Sequence, residues 1–398
     1  MFTTLRPARR ATRNTGARAP CDGCSTCAAD QRLKMSRRKS GDSEGRKKPP
    51  RSNAGNDHLD HTVTADPARA SYEVELARKL APFTKPNTRQ SLIEIALTVV
   101  PFAGLWVAAY LALDVGYWLT LLIAIPASAF VVRLFLIQHD CGHGAFFENK
   151  AVNDWVGRLL GILTLTPYDI WRRAHAIHHS SSGNLDRRGI GDLNTLTIAE
   201  YKALSPLLKF KYRLYRNPIV MFLIGPAYLF LLEHRLPMRH VRKGLMPWLS
   251  AMGTNAGIAV FAALLIWAVG WQAFLMVHLP MVIFAASIGV WLFYVQHQFE
   301  DTYWAHSDEW SLKKAALAGS SHYDLPQPIR WLTANIGIHH VHHLMSAIPF
   351  YRLPEVLKAH PELVEMGRIT FGESISAVKL KLWDEERRRL VSFREANI

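Results

Sequence analysis

The sequence predicts an all-α integral membrane protein in which four transmembrane helices form two hairpins beneath a cytoplasmic helical cap. Three observations support this class. Four apolar stretches are each long enough to cross a hydrocarbon core of ~30 Å at about 1.5 Å per helical residue. Lysine and arginine are concentrated on one side of these stretches. Histidines cluster in three short motifs, which lie at the end of the second stretch, between the two pairs of stretches, and after the fourth stretch.

The segment that precedes the apolar stretches has a different composition. Residues 1–70 contain 15 Lys and Arg against seven Asp and Glu, and few large apolar side chains. Because such a segment cannot bury enough apolar surface to offset the entropy of ordering, we expect a disordered basic tail, followed by a membrane domain over residues 71–398. The tail lacks interleaved aromatic residues and leads into the membrane, so we expect it to be attracted to anionic lipid and to bind no nucleic acid.

Three of the four cysteines lie in this tail, in the motif CDGCSTC, as Cys21, Cys24 and Cys27. A closed zinc or iron–sulfur site needs a fourth ligand and a surrounding fold, and the tail offers neither. We therefore interpret the motif as not metal-binding. The fourth cysteine, Cys141, is interpreted as a small packing residue.

The four predicted spans are residues 95–113, 117–136, 248–269 and 273–295. The first contains no charged residue, and the second contains Arg133 near its end. Only Asp114–Gly116 separates the first pair and only Gly270–Gln272 the second, so each pair forms a hairpin. Residues 155–165 and 219–232 are apolar but too short to span, which predicts interfacial or re-entrant helices.

The distribution of basic residues predicts the orientation. Residues 139–247 contain 15 Lys and Arg, whereas the two short turns contain none. Because basic loops are retained in the cytoplasm, both termini and the long middle segment are expected on that side. The prediction is a multi-pass protein of the bacterial cytoplasmic membrane, with all three histidine motifs on one membrane face.

The motifs HDCGH, HAIHH and HHVHH supply eight candidate metal ligands. On a helix, residues at i, i+3 and i+4 project from one side, so each motif presents two or three ring nitrogens to a common point. Eight imidazoles exceed what one ion of four to six ligands can use, which predicts two metal ions. The eight predicted ligands are His139, His143, His175, His178, His179, His339, His342 and His343.

Helix geometry indicates whether three further histidines could join these eight ligands. His297 lies where the fourth span ends on the same side as the motifs, which makes it a candidate ninth ligand, although interfacial polarity alone would also explain it. His340 is rotated ~100° from His339 on a helix and should point away from the metals. His278 lies 19 residues before His297, about 28 Å by helix rise, and so lies near the opposite membrane face.

Two other classes of function fit the histidines less well. Cation transporters place their sites near the bilayer midplane on broken helices, whereas these motifs lie beyond the helix ends. A zinc hydrolase would need a general-base carboxylate at a close offset, as in H-E-x-x-H, and the motifs lack one. A redox metal enzyme is therefore favoured.

The motifs resemble those of the integral-membrane fatty acid desaturase family, and more closely its acyl-lipid Δ12 (omega-6) type. The resemblance covers most of residues 80–350 and includes LAPFTKPNTRQSL, HDCGHGAFF, WRRAHAIHHSSSGNLDRRGIGDL, YVQHQFEDTYW and NIGIHHVHHL. It implies a non-haem diiron centre that uses O₂ to insert a cis double bond into a long acyl chain. The eight motif histidines match the family's boxes one by one, and His297 matches an extra histidine that some members have at the end of the fourth span.

The chemistry agrees with this resemblance. Removing hydrogen from an unactivated methylene needs a metal that activates O₂, because side chains alone cannot do it. The first motif, H-x-x-x-H, is unlike the longer-spaced first box of acyl-CoA Δ9 desaturases, so the resemblance implies an acyl chain esterified to a lipid. The sequence has no H-P-G-G haem motif, so an external donor, a ferredoxin or a free cytochrome b5, is expected to supply electrons. A lipid hydroxylase on the same diiron scaffold remains the alternative, because both reactions begin with the same hydrogen abstraction.

Overall fold

The computed structural model describes residues 75–237 and 243–398, which belong to one unit. A helical segment over residues 75–80 leads into the first long helix. The α-helices that follow are α1 (Thr88–Leu111), α2 (Tyr117–His143), α3 (Lys150–Leu163), α4 (Tyr168–Ser181), α5 (Ile198–Lys202), α6 (Pro206–Tyr215), α7 (Gly225–Leu231), α8 (Met246–Val269), α9 (Trp271–His297), α10 (Leu312–Ala318), α11 (Gln327–Leu332), α12 (His339–Leu344), α13 (Leu353–Ala359) and α14 (Phe371–Ala377). The predicted tail, with Cys21, Cys24 and Cys27, lies outside the described residues.

Within the described residues, four helices are long and apolar enough to cross a membrane, as predicted: α1 with its extension to Asp114, α2, α8 and α9. Each of these helices extends past the predicted span at one end or at both ends. The predicted spans were bounded by the first polar residues, whereas the helices continue to their capping residues. The Asn87 side chain accepts a hydrogen bond from the Gln90 amide at the start of α1. Helix α2 continues through His143 to Gly144, whose φ of 70° ends it.

Helix α2 lies at the centre of the bundle and packs against α1, α3 and α9. Of its spanning window, 61% is buried within the protein, against 6% for α8, so α8 lies at the edge. Small side chains at helical spacing, among them Thr120, Ala124, Ala127 and Ser128, allow close approach along α2. Cys141 is buried among the apolar residues that surround α2, as expected for a packing residue.

Exposed aromatic side chains mark the turns between the paired helices. Tyr117 and Trp118 begin α2, and Trp267 and Trp271 flank the turn between α8 and α9. Trp and Tyr are enriched where a membrane protein meets the headgroup region. Both turns therefore lie at one membrane interface, and the opposite ends of α2 and α9 carry His143 and His297.

The middle segment contains a bent apolar element. Helix α6 and the segment Val220–Arg235, which includes a π-helical turn (Val220–Ile224) and α7, are inclined at 63° to each other. Together they have the length and hydropathy of a broken span or a re-entrant segment. Predicted segment 155–165 lies mostly within α3.

The described part of the chain also contains five short strands that were not predicted: β1 (Leu196–Thr197), β2 (His322–Asp324), β3 (Arg368–Thr370), β4 (Leu382–Asp384) and β5 (Arg389–Val391). Strand β4 pairs in parallel with β1 and antiparallel with β5, and β2 pairs in parallel with β3. None of the five is longer than three residues, which is too short to give a period-two pattern in the sequence. Because the strands are so short and helices form most of the described structure, the predicted helical class is confirmed.

An ion pair lies between the first two spans. Arg133 of α2, 1% exposed, donates to the Glu94 carboxylate of α1 and to the backbone carbonyl of Trp331 in α11. Its guanidinium also lies 4.1 Å from the centre of the Trp331 ring. Because a charge at this depth is costly without a partner, the pair joins α1, α2 and α11 in one arrangement.

Candidate metal centre

Nine histidine side chains converge at the cap ends of α2 and α9 and form two groups. Within each group the nearest ring nitrogens all lie within 4.8 Å of one another. The first group is His139, His143, His175, His179 and His342. The second group is His178, His297, His339 and His343. All nine histidines predicted as ligands are thus brought together, including His297, which lies in no motif.

Two helices contribute to both groups. On α4, His175 and His179 lie one turn apart and join the first group, whereas His178 between them joins the second. Helix α12 has the reverse arrangement, with the i and i+4 histidines in the second group and the i+3 histidine in the first. The prediction that each motif points to one common place is therefore wrong for the two H-x-x-H-H motifs. Residues at i+3 and i+4 diverge by ~100°, enough to reach two adjacent centres.

The residues before α12 place it against β2. Ala334 and Asn335 have φ values of 48° and 53°, and this left-handed backbone turns the chain towards the site. A Cβ on Gly337 would lie 2.5 Å from the Tyr323 carbonyl oxygen, so a side chain there would force α12 away. The Ser321 carbonyl accepts a hydrogen bond from the His339 amide at 3.1 Å. The NIGI sequence is thus explained by close backbone packing.

Acceptors behind the rings orient two members of the second group. Asp192 Oδ1 lies 2.5 Å from His178 Nδ1, and the Gly319 carbonyl oxygen lies 3.1 Å from His297 Nδ1. Each contact places Nε2 of that ring towards the group. Gly191, with a φ of 71°, brings the Asp192 loop close to α4, where a Cβ would lie 2.9 Å from the Ala174 carbonyl oxygen.

Asp140 makes a similar contact with His139, a member of the first group. Its Oδ1 lies 3.2 Å from His139 Nδ1, and its Oδ2 accepts a hydrogen bond of 2.7 Å from the Phe350 amide. Sequence reasoning identified neither Asp140 nor Asp192 as part of the site. Asp140 is adjacent to a motif histidine and could have been suspected, whereas Asp192 is 14 residues from its partner and has no fixed spacing to reveal it.

The distances between ring nitrogens fit metal ions. In the first group, His175 Nε2 lies 3.0 Å from Nε2 of both His139 and His143. In the second, His178 Nε2 lies 3.2 Å from His297 Nε2. Two nitrogens bound at right angles to a metal at about 2.1 Å would lie about 3.0 Å apart. Five and four such nitrogens cannot satisfy one another by hydrogen bonds, so the donor sets fit two first-row transition-metal ions.

Two rings of α12, those of His339 and His342, are held neutral. Burial, reinforced by the neighbouring imidazoles, places the pKa values of His339 and His342 well below their usual range. A neutral ring has a nitrogen lone pair available for a metal. His343 Nε2 is buried and has no hydrogen-bond partner among the described residues, as expected of a nitrogen whose partner is a metal ion.

His340 and His278, which helix geometry excluded as ligands, lie outside both groups. His340 is fully buried on the other side of α12, and its Nε2 lies 2.9 Å from the Leu363 carbonyl oxygen. His278 lies within the α9 span, where its ring stacks on Phe274.

Four membrane-spanning helices with two histidine groups at one end define a membrane protein with a candidate polyhistidine metal centre. Residues 116–374 match the sequence profile of the fatty acid desaturase family. The match covers more than half of the chain and includes all three motifs, and the chain belongs to this family. It is therefore an integral membrane oxidoreductase of the desaturase type.

Individual relatives support the same assignment. A protein named fatty acid desaturase from Bacillus subtilis is 46% identical over 325 residues, which cover 82% of this chain and 92% of that protein. An sn-1 acyl-lipid omega-3 desaturase (ferredoxin) from Synechocystis is 30% identical over 287 residues, or 69% of this chain and 76% of that one. An sn-1 oleoyl-lipid 12-desaturase from Picosynechococcus is 26% identical over 285 residues, or 67% and 75%.

We expect Asp192→Ala to weaken metal binding in the second group by roughly 10- to 100-fold, because His178 would lose the acceptor that orients its ring. Iron retained by the purified protein during titration with a chelator measures the effect. Asp186→Ala is the control, because this carboxylate lies in the same loop but contacts His306 at the surface. Equal iron retention by both variants would contradict the role of Asp192.

His297 and His340 are predicted to differ in metal content. His297→Ala should lose iron as His342→Ala does, because each removes one nitrogen from a group. His340→Ala should keep its iron but unfold more easily, because it leaves a small cavity and removes the buried hydrogen bond from this ring to the Leu363 carbonyl. Elemental analysis and thermal denaturation of the detergent-purified variants separate the two effects. A folded His340→Ala protein without iron would show that this side chain is part of the centre.

Proposed function

We propose that the protein is an O₂-dependent acyl-lipid desaturase with a non-haem diiron centre, which introduces a cis double bond at a Δ12-like position of a long acyl chain. The observation that carries this proposal is a cavity of about 760 Å³ that reaches the histidine groups. Its wall includes His139, His175 and His339. The volume lies within the range of sites that bind ligands of moderate size.

The shape and lining of the cavity suit an acyl chain. Apolar side chains of α2, α9 and the segment Val220–Pro237 form most of the wall. Along α9 the lining runs from Gln296 to Val282, 14 residues, which is about 21 Å of helix. An elongated apolar space that begins at a histidine centre matches a long aliphatic substrate better than a compact polar one.

The residues around the two groups would hold the substrate methylenes and keep water away. The Phe293 ring lies 5.2 Å from His178 and 5.4 Å from His297, and Trp171 stacks on His175 at 4.7 Å. Both aromatic side chains also line the cavity. They would exclude water from the place where a methylene approaches the centre. Two iron ions bound by the nine histidines would supply the O₂ activation that the removal of unactivated hydrogen requires.

The names of the relatives support a lipid-linked substrate and a ferredoxin donor. Two of the relatives are named as acyl-lipid or oleoyl-lipid desaturases, and one carries ferredoxin in its name. The regiochemistry is a proposal that rests on the motif resemblance, since relatives named for omega-3 and for 12-desaturation have similar identities to this chain. A free cytochrome b5 is the second possible donor.

We further propose that both termini and the cap with its histidines face the bacterial cytoplasm. The lack of basic residues in the two aromatic-flanked turns supports this orientation. Reporters fused after Val115 and after Gln272 should signal from outside the cytoplasm, and a reporter after Ala203, in the cap, from inside it. A cytoplasmic signal from both turn fusions would contradict the orientation.

The reaction itself is testable with purified protein. The iron-loaded full chain, supplied with phospholipid vesicles containing oleoyl chains, O₂ and reduced ferredoxin, should yield acyl chains two hydrogens lighter. Mass spectrometry of the released fatty acids measures this change, and His342→Ala serves as the inactive control. Products heavier by one oxygen would instead identify a hydroxylase. No modified acyl chain from an iron-loaded protein that accepts electrons would contradict both activities.

A further inference from the structure

Gly289 lies in the cavity wall, and close packing does not explain why this position is a glycine. Gly289 lies in the middle of α9 and lines the cavity. It is two turns before His297, about 12 Å along the helix. A Cβ built on Gly289 would meet no atom within 4 Å. The space beside this glycine is therefore open and belongs to the cavity.

Other glycines of the spanning helices can be compared with Gly289. A Cβ on Gly257 of α8 would lie 2.5 Å from the Ile162 side chain, so this glycine allows α8 to contact α3. A Cβ added to Gly104 of α1 or to Gly253 of α8 would also meet no atom within 4 Å, but both of these glycines are exposed on the outer surface of the bundle. Gly289 differs from all three because its open space faces the interior cavity.

The neighbours of Gly289 along α9 extend the same wall. Phe293, one turn towards the cap, lies beside His178 and His297. Ala285, Ala286 and Val282 line the cavity on the other side of Gly289, deeper in the span. Gly289 thus lies between the part of the cavity next to the histidines and its deep end. A large side chain there would separate the two parts.

We infer that Gly289 is a specificity-determining residue that keeps the deep end of the cavity open for the methyl-terminal part of the acyl chain. This inference rests on the proposed desaturase function. The deep end is lined by apolar side chains within the span, so it suits the part of the substrate that carries no polar group. The number of carbons that fit beyond the histidine groups sets the number of carbons between the new double bond and the methyl end. Gly289 therefore helps to set the position of the double bond or the chain length accepted.

The test is a series of increasing size at one position: Gly289→Ala, Gly289→Val and Gly289→Leu. Each variant is expressed in a host that lacks desaturases and is supplied with saturated and monounsaturated acyl chains of several lengths. Fragmentation mass spectrometry then locates the double bonds. We expect fewer carbons on the methyl side of the new double bond as the side chain grows, with the fraction of wild-type product falling at least several-fold for Gly289→Leu. Iron content should remain that of the wild type, because no ligand is touched.

Gly253→Leu and Gly104→Leu are the matched controls, because each adds the same side chain to open space in another spanning helix. Their products should be those of the wild type. Unchanged product positions in the Gly289→Ala and Gly289→Val variants, together with an unchanged or inactive Gly289→Leu, would overturn the inference. Failure of the proposed function would be distinguished from this outcome, because the wild type would then form no unsaturated product despite bound iron.

Discussion

The structure depends on the requirement to hold nine buried or partly buried imidazole rings in two adjacent groups, within each of which the nearest ring nitrogens all lie within 4.8 Å of one another. Such an arrangement is unfavourable without cations, because buried polar nitrogens that cannot pair with one another lose their hydrogen bonds to water. The surrounding fold meets the requirement with four helices whose histidines meet in one place. Helices α2 and α9 deliver their histidines from the spans, and α4 and α12 deliver the others from the cap.

Helix α2 combines three tasks. Its last turns carry His139 and His143, its middle forms one wall of the cavity, and Arg133 holds it to α1 and α11. The Arg133 pair is buried close to the histidine end, so it connects the position of the spans to that of the cap. This explains how a site made from distant parts of the chain keeps one geometry although only 6% of the spanning window of the outer helix α8 is buried.

The sequence predicted the parts of the fold and site that depend on local pattern. Long apolar runs separated by short turns were sufficient to predict the four spans, and helical spacing was sufficient to separate His340 from its neighbours. The partners of the histidines were not predictable in the same way. Asp192 reaches His178 because of a loop bent at Gly191, and Glu94 reaches Arg133 because two spans pack together. Such contacts are set by tertiary packing, which leaves no period in the sequence. The division of each H-x-x-H-H motif between two groups also needed coordinates, because one helix face alone does not reveal that two centres lie beside it.

The order of the ligands along the chain has a consequence for how the protein is made. Both groups take members from α12, near the end of the chain, and both also take members from α4, more than 150 residues earlier. A nascent chain that has already inserted its first hairpin and made α4 can offer the first group only four of its five nitrogens and the second group only one of four. Because synthesis proceeds from the N-terminus, the first group is incomplete until residue 342 has left the ribosome, and the second until residue 343 has. Assembly of the centre is therefore a late event, which follows the insertion of all four spans.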